Sequence, residues 1–126
     1  MATILLVEDD PFQAFVRMSA LEKRFPEVQR VVDAAEALCL IEQRVFSEKL
    51  KLVIAGNQLH GLAGPDFVAE LHARMPDLAV LVLGEAEESS AGYPDKNVRF
   101  LPKPSGADEI VSAAGQMLAE DNHKVA

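Results

Sequence analysis

Two unbroken apolar tetrads, Ile4-Leu5-Leu6-Val7 and Leu52-Val53-Ile54-Ala55, constrain this chain more than any other feature. A strand with one wet face alternates apolar and polar residues. A strand with no polar position has both faces covered, the pattern of a buried parallel sheet. Two such strands in a chain of 126 residues call for helices on both sides of one sheet, within a single domain spanning residues 1–126.

The intervening sequence supplies those helices. Asp10 reads as an N-cap with Pro11 at the first helical position, and a helix over residues 11–24 is closed by Pro26. A second strand is expected at 28–32. The next helix starts at Ala34 and sets Ala34, Leu38, Ile41 and Val45 on one stripe. After the third strand, at 52–55, Gly61, Gly64 and Pro65 mark a loop. A helix over 66–75 follows, with Phe67, Val68, Leu71 and Met75 toward the core. Strands at 80–83 and 99–101 and a last helix at 108–120 complete the chain, the last burying Ile110, Val111, Ala114, Met117 and Leu118. Between the last two strands, residues 85–98 hold Gly92 and Pro94 with few apolar residues at helical spacing, so a helix there is expected to be short or missing. On the first helix, Phe12 and Val16 lie roughly opposite Ala14, Met18, Leu21 and Phe25. One of the two sets is then left outside the core as a candidate partner or homodimer surface.

Composition narrows the function. A net charge of -8 argues against nucleic-acid binding, which needs clustered Lys and Arg, and points to basic partners. Cys39 is the one cysteine and is expected to be a small core residue. No apolar run approaches the roughly 20 residues that span a bilayer, and no basic segment precedes Ile4–Val7, so a cytoplasmic address is expected. His60, His72 and His123 show no metal-ligand spacing, and the chain has neither a G-x-G-x-x-G nor a phosphate-loop lysine motif.

In doubly wound sheets, sites form just beyond the carboxyl ends of the strands. Those positions hold Glu8-Asp9-Asp10, Gly56-Asn57, Gly84-Glu85 and Pro102-Lys103-Pro104. Adjacent carboxylates need a counter-charge, here Lys103 or a divalent metal. The stretches ILLVEDDP, KLVIAGNQLHGLAG and FLPKP, in that order, resemble the receiver domains of bacterial response regulators over residues 3–118. The resemblance implies a flavodoxin-like α/β fold with a five-stranded parallel sheet in the order 2-1-3-4-5. It also implies that Glu8 and Asp9 match the magnesium-holding acids and Lys103 the phosphoryl-contacting lysine. Pro104 matches a proline often joined by a cis bond, and Phe100 an aromatic that changes rotamer on activation.

Other positions depart from the family pattern. Gly56 stands where the family carries its phosphorylated aspartate, and Gly84 where it carries a hydroxyl residue of the switch. His60 replaces a usual proline, and Ala63 a frequent aspartate. A one-residue slip would bring Asn57 to the acceptor position but would break the match of Leu59, Gly61 and Gly64. The expected protein is a non-enzymatic, stand-alone, degenerate receiver in two-component signalling that acts through protein contacts without phosphorylation. Its partner is expected to be a histidine kinase or a downstream signalling protein. Glu8, Asp9 and Lys103 are expected to form a retained salt-bridged cluster, with no cofactor beyond weak magnesium at Glu8 and Asp9. Phe100 is expected to be a packing residue. Two alternatives stay open: a receiver phosphorylated on another acid, Asp9 or Asp10, and a flavin- or nucleotide-binding protein of the same architecture.

Overall fold

The computed structural model describes residues 3–56, 58–59, 62–85, 97–103 and 106–125, the side chains of Gln58, Glu85, Lys103 and residues 120–125 excepted. The chain runs β1 (Ile4–Val7), α1 (Pro11–Glu22), β2 (Val28–Val31), α2 (Ala34–Ile41), α3 (Arg44–Ser47), β3 (Leu52–Gly56), β4 (Gln58–Leu59), β5 (Leu62–Ala63), α4 (Gly64–Arg74), β6 (Ala79–Glu85), β7 (Val98–Lys103) and α5 (Ala107–Val125). The main sheet has five strands in the order β2-β1-β3-β6-β7, every pair parallel. Numbered among themselves these are 2-1-3-4-5, the order that the resemblance implies. The short β4 and β5 form a separate antiparallel pair, which the sequence pattern does not announce because each contributes only two residues.

The unbroken apolar runs do what their pattern requires. Leu5, Val7, Val53, Ala55, Val80 and Val82 point to one face and pack under α2, α3 and α4 with Ala37, Ile41, Phe46, Phe67 and Leu71. Their neighbours Ile4, Leu6, Leu52, Ile54, Leu81 and Leu83 point to the other face and meet Leu21 of α1 and Ile110, Ala114 and Met117 of α5. Side chains alternate faces along a strand, so a strand between two helical layers must be apolar at every position. β2 lies at the sheet edge, and there the pattern loosens: Gln29 is exposed, while Val31 is buried.

The cap of α1 is the one read from the sequence. Asp10 Oδ1 accepts from the backbone N–H groups of Phe12 and Gln13 at 2.9 and 3.3 Å, with Pro11 in the first turn. Asp33 caps α2 in the same manner, accepting from the Glu36 N–H at 2.9 Å. His72 Nε2 donates to the Leu78 carbonyl at 2.8 Å and ties α4 to the start of β6, a structural use of that ring.

Two expectations about the second helix are corrected. Its stripe does not reach Val45, which is 64% exposed. α2 stops at Ile41, and a new turn, α3, begins at Arg44. The break shifts the helical phase, so Phe46 enters the core instead. Cys39 is exposed rather than a core residue. The buried positions of α2 are Ala34, Ala37 and Ile41, and at 100° per residue Cys39 falls away from that stripe. The expected short or missing helix at 85–98 falls mostly outside the described residues.

Candidate functional site

The carboxyl edge of the sheet is assembled by register. Val7, the last residue of β1, pairs with Ala55, so Glu8 emerges one step beyond it beside Gly56. Gly56 in turn pairs with Leu83 of β6, and Gly84 and Glu85 pair with Pro102 and Lys103 of β7. The backbone thus brings Glu8, Gly56, Gly84 and Lys103 to one edge, as the strand-end reading requires. Gly56 is half-buried and Gly84 buried, and neither carries a functional group. Asp9 is exposed. Phe100 is half-buried and packs against the core under α2, α3 and α4. Asn57, His60 and Pro104 lie outside the described residues, as does the side chain of Lys103, and so does the expected cluster of Lys103 with Glu8 and Asp9.

Glu8 is held by all its polar atoms. Its N–H donates to the Val31 carbonyl at 3.0 Å. Its own carbonyl accepts from Arg30 Nε at 2.9 Å. Carboxylate Oε2 accepts from the Asp10 N–H at 3.1 Å, and Oε1 is ion-paired with Arg17 Nη1. The Arg17 and Glu8 side chains are only 11% and 13% exposed. Sequence reasoning assigned the counter-charge of this acid to Lys103 or a metal and passed over Arg17. The missed signal is periodicity. Arg17 lies three residues after Ala14 and four before Leu21, both buried, so it stands on the inward stripe of α1, where a charged residue requires a partner.

The comparisons agree with this architecture. The family profile of the response regulator receiver domain matches residues 4–115. The chain belongs to this family. Receiver domains serve two-component signal transduction. Among related sequences, the sensor kinase CckA of Brucella abortus (strain 2308) is 29% identical over 124 residues, covering 96% of this chain and 13% of the kinase. The hydrogenase transcriptional regulatory protein HoxA of Cupriavidus necator is 24% identical over 119 residues, covering 91% of this chain and 24% of the regulator. This receiver domain therefore spans a minor part of either relative. Among solved structures, a response regulator receiver domain protein from Clostridium thermocellum superposes with a TM-score of 0.85 at 20% identity, covering 97% of this chain and 98% of the other.

The magnesium ion that the resemblance brings with it can be tested against the donors of this receiver domain. Magnesium demands near-octahedral oxygen ligands at short distance. Both Glu8 oxygens are engaged within the chain, and Gly56 offers no side-chain oxygen. Among the described residues no group of three or more His, Cys, Asp or Glu is placed to hold a metal ion. At Glu8 and Gly56 the donors do not fit the ion.

Proposed function

We propose that this receiver domain is a degenerate member that transmits its signal through protein-protein contact, without accepting a phosphoryl group and without enzymatic activity or a resident cofactor, in the cytoplasm. Gly56 carries the reading. It ends β3 beside Glu8 at the carboxyl edge of the sheet, and the sequence resemblance matches it to the family's phosphorylated aspartate. Acyl-phosphate formation needs a carboxylate nucleophile, and glycine has none. Gly84 supports the reading, since a residue without a hydroxyl cannot bond a phosphoryl group or be drawn inward by one.

Incubation with a small acyl-phosphate donor and magnesium tests this directly. The intact mass is expected to stay unchanged. Gain of one phosphoryl group on any acid, Asp9 and Asp10 included, would overturn the proposal and favour a receiver phosphorylated elsewhere.

The contact surface we assign is the outward stripe of α1. Phe12 and Phe15 are 71% and 72% exposed, and Val16 is exposed beside them, while Ala14 and Leu21 are buried on the other side. Asp9 and Asp10 stand exposed at the head of the same helix, and the chain carries a net charge of -8. Charge complementarity then favours a signalling protein that presents apolar side chains with a basic rim, such as a kinase of a two-component system. Sedimentation of the isolated domain is expected to give a monomer. A dimer lost on replacing Phe12 and Phe15 by serine would assign the stripe to a second copy instead.

A further inference from the structure

Glu8 occupies a strand end where the family resemblance puts a metal ligand, yet its carboxylate is already neutralised inside the chain. Arg17 Nη1 pairs with Oε1, and the Asp10 N–H donates to Oε2 at 3.1 Å. Neither side chain of the ion pair is more than 13% exposed, so water and salt screen the attraction little. A second guanidinium borders the same residue, with Arg30 Nε on the Glu8 carbonyl at 2.9 Å. A divalent ion taking Glu8 Oε1 would have to detach Arg17 and strand that guanidinium on the inward stripe of α1. Separating a largely buried pair leaves both charges uncompensated, and the cost is charged against binding. The two kinds of cation also differ in permanence. A metal ion dissociates, whereas a guanidinium anchored on the next helix stays with its carboxylate.

We propose that Arg17 is the resident cation of this pocket: its guanidinium holds the charge-neutralising place of a divalent ion at Glu8 and makes the pocket indifferent to magnesium. The proposal stands on the geometry of Glu8 and Arg17 and not on the reading of Gly56. A protein that accepted phosphate elsewhere could still have its Glu8 occupied by Arg17, and a protein that accepted none could still bind a metal.

Manganese serves as the probe, read by paramagnetic broadening of the backbone amide signals of residues 8–10. The wild type is expected to show no saturable broadening there up to low-millimolar manganese. Arg17→Gln is expected to gain affinity by about tenfold or more, the size of a typical coupling between competing ligands. Adding Glu8→Gln to that variant is expected to remove the gain. Wild-type affinity equal to that of Arg17→Gln, or a gain that survives Glu8→Gln, would overturn the proposal. Should Arg17→Gln fail to fold, the wild type decides alone. Its Arg17 guanidinium signals are expected to hold their positions when magnesium is added, and their displacement would sink the idea.

Discussion

Arg17 turns back along the chain to Glu8, nine residues earlier, and clamps the second turn of α1 to the end of β1. Exposed ion pairs contribute little to stability, but this one is nearly enclosed, so its loss should register. Arg17→Met is expected to cost about 2–4 kcal/mol, at or a little below the range for breaking a buried pair because both side chains keep some exposure. The double variant Arg17→Met/Glu8→Gln should cost less than the sum of the two single changes, with a coupling of about 1–3 kcal/mol. Urea unfolding of the four proteins measures it. Strict additivity would show that the contact carries no energy of its own.

Asp10, the third acid of the cluster, is a helix cap. Its Oδ1 receives two backbone N–H groups at the start of α1. Asp10→Ala is expected to lose about 1 kcal/mol and Asp10→Asn much less, since asparagine caps as well as aspartate. Equal losses for the two variants would mean that charge rather than capping is what Asp10 provides.

The break between α2 and α3 predicts opposite outcomes for nearby residues. Phe46 is in the core and Val45 is outside it. Phe46→Ala is expected to cost about 3 kcal/mol or more, whereas Val45→Ala should stay within about 0.5 kcal/mol of the wild type. Thermal or urea unfolding checks both. A large loss at Val45 would restore the continuous helix that its spacing suggests.

Cys39 gives a chemical test of the same region. It is exposed, so the folded protein should react with one equivalent of a thiol reagent without denaturant. Protection of the thiol until the chain unfolds would return Cys39 to the core.

Most of the fold was legible because burial on both faces leaves a direct trace. Strands such as Ile4–Val7 and Leu52–Gly56 are apolar at nearly every position, and helix caps such as Asp10 carry their own residue types. The phase of the second helix was less legible. Val45 fits the period of Ala34 and Ile41, and only the stop at Ile41 takes it out of register. Likewise Gln58–Leu59 and Leu62–Ala63 are too short to show a period.

At the carboxyl edge, the absence of side-chain chemistry at residues 56 and 84 was determined by the sequence alone. A glycine at 56 and another at 84 have no functional groups in any fold, and parallel strand order brings both to one edge. The partner of Glu8 was decided by tertiary structure. Chemistry admits any cation there, and a lysine at the end of β7 or a bound metal reads as plausibly as an arginine two turns into α1. The choice of Arg17 rests on where α1 lies against the sheet and which of its faces turns inward. That orientation comes from packing Leu21 against the β-strands and α5, a balance among contacts distant in the chain that no local pattern encodes.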